Sequence, residues 1–128
     1  MNYTRVYSDS TGESHFEDVS VPVAPVNFAP PAPPMDVAAP IRAERMLLAT
    51  MPLTWASSWH PAPRRQFYVQ LSGTLEVQVS DGQVRQFPPG SLMLLEDTMG
   101  KGHCTRVVGN AIAKGVFVQL PAAENAAA

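Results

Sequence analysis

Seven of the chain's thirteen prolines fall between Pro22 and Pro40, in the segment VPVAPVNFAPPAPPMDVAAP. Proline lacks an amide hydrogen and clashes with the preceding turn, so this stretch cannot be helix. It is expected to form an extended, polyproline-like strap. Val23, Val26, Phe28 and Met35 within it predict a strap that packs against a surface instead of hanging free in solvent. No amphipathic pattern of three helical turns occurs anywhere in the chain, so helical folds are excluded.

From Glu44 onward the pattern is β. Strands are predicted over Glu44–Met51, Gln66–Leu71, Thr74–Ser80, Gln83–Phe87, Ser91–Leu95, Thr105–Val108 and Lys114–Leu120. Turn residues separate them at short spacing, and Asp81-Gly82 between two alternating runs is the clearest hairpin, because glycine tolerates the positive φ of a tight turn. Thr74–Ser80 places Leu75, Val77 and Val79 on one face and Glu76 and Gln78 on the other. Many short strands with Gly/Pro turns read as a sandwich or barrel, and a jelly-roll barrel closes its edges best. Three stretches follow: an N-terminal strand and Pro-rich strap over 1–43, a barrel over 44–121, and a disordered tail over 122–128 with little to bury.

Composition narrows the function classes. At 128 residues the chain is about the size of one domain of roughly 100–150 residues. Its 16% of charged residues lie below the average of about 25%. The formal net charge of −2 offers no basic face, so nucleic acid is not expected as a partner. Apolar runs such as Leu92–Leu95 are far short of the roughly 20 residues that span a bilayer, so a membrane is not expected either. The opening MNYTRVYSDS shows no charged-then-apolar export pattern. A lone cysteine, Cys104, fits a reducing cytoplasm.

Chemistry-bearing residues gather around one predicted strand. Alternation over Gln66–Leu71 puts Gln66, Tyr68 and Gln70 on one face, and a polar inward face implies a lined cavity. His60 precedes that strand; His103 follows the Glu96-Asp97-Thr98 loop and the Gly100-Lys101-Gly102 turn. Arg64-Arg65 either clamps an anionic group or pairs with Glu96 or Asp97 at the rim. Glu96-Asp97 either supplies a general base near His103 or caps a turn. Cys104 is adjacent to His103 and therefore faces the opposite way, as a buried structural thiol. His15 either reaches over the pocket mouth or a partner subunit, or is an exposed polar residue. Trp55, Trp59 and Tyr68 are candidates for pocket walls or for core. Gly100-Lys101-Gly102 is too short for a phosphate loop.

These residues resemble the small single-domain cupins. The first motif of that family has a pair of histidines, then a glutamate, then a glycine; counting back from Gly73 places those positions at His60, Ala62 and Gln66. The second motif, a Pro-x-Gly turn, a strand and a histidine, is matched by Pro88-Pro89-Gly90, Ser91–Leu95 and His103. The similarity runs from about Arg45 to Leu120 and is greatest to a bacterial branch with Gly-Glu-Ser-His-Phe (here 12–16) and His-x-Ala-Pro-Arg-Arg-Gln (here 60–66). It implies an all-β, antiparallel double-stranded β-helix or jelly-roll barrel, a pocket at one end, and a homodimer with the strap and N-terminal strand laid across the partner.

It also implies a metal centre, from which this sequence departs: Gln66 stands in place of the carboxylate and Ala62 in place of a ligand. His60, Gln66 and His103 are the remaining donors for a divalent ion such as Zn, Mn, Ni or Fe. Tyr68, Asp97 and Arg65 are the candidate catalytic groups, and Arg64, Trp59 and Gln70 the candidate ligand-pocket residues. The expected function is binding of a small polar or anionic organic compound, with metal-assisted lyase or isomerase chemistry. The alternative is a non-catalytic binding or sensing module that keeps the barrel without the full metal site.

Overall fold

The computed structural model describes residues 1–122, so the predicted tail lies outside the described residues but for Ala122. The described chain is all-β, with no helix. Its strands are β1 (Asn2–Ser8), β2 (Ser14–Ser20), β3 (Ala24–Val26), β4 (Met35–Val37), β5 (Arg45–Met51), β6 (Gln66–Ser72), β7 (Thr74–Val79), β8 (Val84–Phe87), β9 (Leu92–Leu95), β10 (His103–Val108) and β11 (Ala113–Gln119). All seven strands predicted from residue 44 onward are present, with ends shifted by two residues at most.

A six-stranded sheet in the order β2-β1-β9-β6-β11-β5 and a three-stranded sheet in the order β10-β7-β8 share one core. Alternation decides what faces inward. In β7, Leu75, Val77 and Val79 are buried and Glu76 and Gln78 point away. Each such aliphatic side chain stabilises the fold by about 1.5–3 kcal/mol on burial. Val6, Phe16 and Phe87 join the same core from β1, β2 and β8. Phe67, Leu94 and Leu120 form a smaller cluster on the opposite face of the large sheet, beneath Tyr3.

Three features differ from the sequence expectations. First, the large sheet is mixed: β1 runs parallel to β9, whereas its other pairs are antiparallel. The two sheets do not merge into one closed hydrogen-bonded barrel. Second, the sheet begins at residue 2, not 44, because β1 inserts between β2 and β9 of its own chain. Third, the strap folds back on itself as the β3–β4 ribbon, with Val26 opposite Met35, and Val23, Val26, Phe28 and Met35 stay exposed. Proline permits this because a two-stranded ribbon has outer edges that need no ladder donor. Among the described residues no helix is long and apolar enough to cross a membrane.

Candidate functional site

The outer edge of β10 is paired by an irregular segment. Ser57 N donates to Thr105 O and Val107 N to Trp55 O. His60 and His103 then exchange both backbone hydrogen bonds at 3.0 Å, and Ala62 N donates to Asp97 O. Directly opposed residues in such a bridge project side by side. The two imidazoles accordingly lie with centroids 4.9 Å apart and planes at 54°. Gly102 makes this approach feasible: its φ is +70°, and a Cβ there would run into the backbone of His60 and Pro61. Ser14, fully buried, donates its hydroxyl to Gly102 O at 2.6 Å and so anchors the turn beside His103.

Each ring is oriented by its Nδ1. His60 Nδ1 lies 2.8 Å from the Ser58 carbonyl oxygen, which can only accept, so Nδ1 carries the proton. His103 Nδ1 donates to Asp97 Oδ2 at 2.5 Å. Asp97 is fully buried, and its Oδ1 has no partner among the described residues. Neither Nε2 is bonded to protein among the described residues, and in the neutral ring with its proton on Nδ1 each presents a lone pair there.

Both rings line a cavity of about 340 Å³, near the lower end of ligand sites of roughly 300–1,000 Å³. Gln66 and Thr105 complete its polar wall, and the rest is apolar: Trp55, Tyr68 and Phe117 with Met51, Met93 and Leu95 among others. Gln66 Oε1 accepts a hydrogen bond from Gln119 Nε2 at 2.9 Å, leaving its NH₂ unpaired by protein. A larger open groove of about 600 Å³ lies between Asn2–Thr4, Asp18–Ser20 and Arg85–Phe87. Its charges are spent on each other, Arg85 on Asp18 at 2.7 Å, so chemistry points to the histidine-lined cavity.

Several candidates lie outside the cavity or are engaged by protein groups. Tyr68 contributes its ring to the wall, but its hydroxyl donates to Gln70 Oε1 at 2.6 Å, and burial pushes its pKa up to about 12. It is therefore a poor proton donor or base at neutral pH. Gln70 is fully buried and is not a pocket residue: its NH₂ donates to Ser72 O and Gly73 O. Arg65 Nε donates to Glu96 at 2.5 Å, and Arg5 binds the other oxygen of the same carboxylate. Burial works to raise the Glu96 pKa, but these two guanidinium groups outweigh it and hold it below its ordinary value. Arg64 is spent on Glu44 and on Leu120 O. Neither arginine lines the cavity, nor does Trp59, which is 46% exposed. Asp97 acts behind His103, not on the cavity. Cys104 points away from His103, toward Gln78, but is only half-buried; burial and the Glu76 charge raise its pKa, so it is no nucleophile. His15 bridges Asp9 and Asp81 and does not line the cavity.

As donors for a divalent ion, the residues fall short. Two imidazole nitrogens converge, the Gln66 oxygen is engaged by Gln119, and the one nearby carboxylate is held behind His103. No group of three or more His, Cys, Asp or Glu side chains is placed to hold a metal among the described residues. A catalytic zinc site normally keeps three protein ligands, so the donor set does not fit a tightly resident ion. Phe117 and Thr105 were not singled out from the sequence. Alternation could have found both, since Thr105 shares a face with His103, and Phe117 lies opposite Tyr68 in the β6–β11 ladder. The Ser58 carbonyl that orients His60 has no sequence signal. Among known proteins, no family model matches the chain and no curated protein is similar to it.

Proposed function

We propose that this protein is a small-molecule-binding cupin, its sheets forming a jelly roll, and that it works as a lyase or isomerase with His103 as general base. One observation carries this reading: a buried carboxylate fixes Nδ1–H of His103 and leaves Nε2 as a lone pair on the wall of a mostly apolar cavity. Such a base takes a proton from a substrate atom, and the imidazolium formed is compensated at once by Asp97. Low local dielectric strengthens that compensation. The protonated His103 returns that proton from Nε2 to the same or a neighbouring atom, while His60, whose Nδ1–H is tied to a carbonyl, offers its Nε2 lone pair to a substrate donor. Removal and return at different atoms is an isomerisation; removal with loss of a leaving group is an elimination. Asp97 is a positioning residue in this scheme.

The test uses 5-nitrobenzisoxazole, an apolar carbon acid whose N–O bond breaks as its C–H proton is removed, giving a coloured cyanophenolate. The protein is expected to open it faster than an equal concentration of free imidazole, with or without chelator. His103→Ala should lower the rate by about a hundredfold and Asp97→Asn by about tenfold. A rate no better than free imidazole, with the probe still bound, supports the alternative of a non-catalytic binding or sensing module.

A homodimer belongs to the same proposal. The β5 strand is an edge of the large sheet and exposes Met46, Leu47 and Leu48 together. An unpaired edge with apolar side chains is a template for another strand, and two copies of one edge can satisfy each other about a two-fold axis.

A further inference from the structure

We infer that the ligand of the histidine-lined cavity is a flat, uncharged aromatic molecule bearing two vicinal hydroxyl groups, not a carboxylate or phosphate. The inference rests on the proposed function's reading of this cavity as a binding site. Its polar wall is unusual in what it leaves unsatisfied. With both Nδ1 atoms committed as donors, His60 and His103 present two acceptors side by side, their rings 4.9 Å apart. His103 is only 5% exposed, so its lone pair meets little but the cavity. A ligand that seats here must bring two adjacent hydrogen-bond donors, or leave buried acceptors unpaired at a cost.

Gln66 adds the third requirement. Its oxygen is taken by Gln119, so it offers N–H, and the ligand must also accept. A hydroxyl both donates and accepts; an ammonium or amidinium only donates, and a carboxylate only accepts. No Arg or Lys lines the cavity to compensate an anion, because Arg64 and Arg65 are held outside by Glu44 and Glu96. A carboxylate would therefore face two acceptor nitrogens and the buried charge of Asp97 without a counter-ion.

The apolar wall sets the body of the ligand. Tyr68 and Phe117 stand 4.7 Å apart at 53°, with Trp55 and two methionines nearby. Aromatic faces and thioethers favour a flat π-system over a sugar ring. The volume suits one or two fused rings and excludes bulky polycyclic or nucleotide ligands.

The experiment is calorimetric titration of the full chain, under argon, with 2,3-dihydroxynaphthalene, 2,3-dimethoxynaphthalene and 2-naphthoate. The diol is expected to bind at least about tenfold more tightly than the dimethoxy compound, which keeps shape and apolar area but cannot donate. Naphthoate should bind most weakly. His60→Ala should reduce the diol preference, read as the ratio of the two affinities within the variant, to about threefold or less. Because His103→Ala leaves Asp97 without its partner and risks the fold, His60→Ala carries the test.

Equal or reversed affinity of diol and diether overturns the inference, as does tightest binding by naphthoate. Benzisoxazole opening that persists alongside either result leaves the general-base reading standing. A diol preference without benzisoxazole opening upholds this inference and removes the general base. Binding of none of the three overturns this inference, and the general-base reading then stands or falls on benzisoxazole opening alone.

Discussion

Tyr68 shows how one hydroxyl can be a structural group inside a functional wall. Its proton goes to Gln70, whose NH₂ in turn closes on the carbonyls of Ser72 and Gly73, so every member of this small network is paired. Gly115 makes room for it, since any Cβ there would collide with the phenol. Tyr68→Phe keeps the ring but strands the Gln70 oxygen in the core. It should cost about 1–3 kcal/mol in urea unfolding while benzisoxazole opening stays within about twofold, the reverse of what loss of a catalytic phenol would give. His103 was legible in the sequence because a glycine turn precedes it, and His60 by its distance from Gly73. The destination of the tyrosine hydroxyl was not: strand alternation says which face a side chain takes, but not which polar neighbour claims it. Arg64, close to the cavity strand in sequence, is likewise drawn outward by Glu44, whereas Arg65 takes Glu96, the rim pairing that was one of the two readings of Arg64-Arg65.

At the scale of elements, the turn between β1 and β2 holds the dyad loop in place. Lys101 N donates to Gly12 O, Lys101 Nζ pairs with Glu13 at 2.8 Å, and Ser14 reaches Gly102. That turn is itself clipped to the β7–β8 hairpin by His15, whose Nε2 lies 2.7 Å from Asp9 and whose Nδ1 lies 2.8 Å from Asp81. Only a doubly protonated ring can donate to both. Asp9 first and Asp81 second raise the His15 pKa above its ordinary value. Thr11 and then His15 depress that of Asp9.

A raised histidine contributes stability below its unfolded pKa and loses it as pH rises through the folded one. A depressed carboxylate contributes above its unfolded pKa and loses it as pH falls. The clip is therefore complete between about pH 4 and 6.5. The melting temperature should be highest in that window and decline toward pH 9, while the gap between wild type and His15→Gln narrows over the same range. A gap that is constant with pH removes the clip. These two N-terminal strands were hard to read from sequence because, of their inward positions, only Val6 and Phe16 are apolar and buried. The strands after residue 44 are rich in apolar residues and bounded by turn residues, and were legible almost to the residue.

The whole molecule is asymmetric in what it leaves uncovered. Inside, two sheets satisfy each other around one core and a histidine-lined cavity. Outside, Leu48 is 77% and Met46 64% exposed on β5, an edge whose outer backbone groups have no strand partner among the described residues. Monomeric proteins blunt such edges with charge, proline or a covering loop, and β5 carries only Arg45. Pairing of two β5 edges would satisfy backbone and apolar side chains in one step, which makes dimerisation the economical explanation. Light scattering should give a mass near twice 13.8 kDa at micromolar concentration. Leu48→Lys should shift that mass to the monomer without lowering unfolding stability in the monomeric range, because the side chain is exposed within a single chain. The cavity is lined within one chain, so the monomeric variant should still open benzisoxazole. A wild-type chain that stays monomeric would place the purpose of this edge elsewhere and withdraw the dimer.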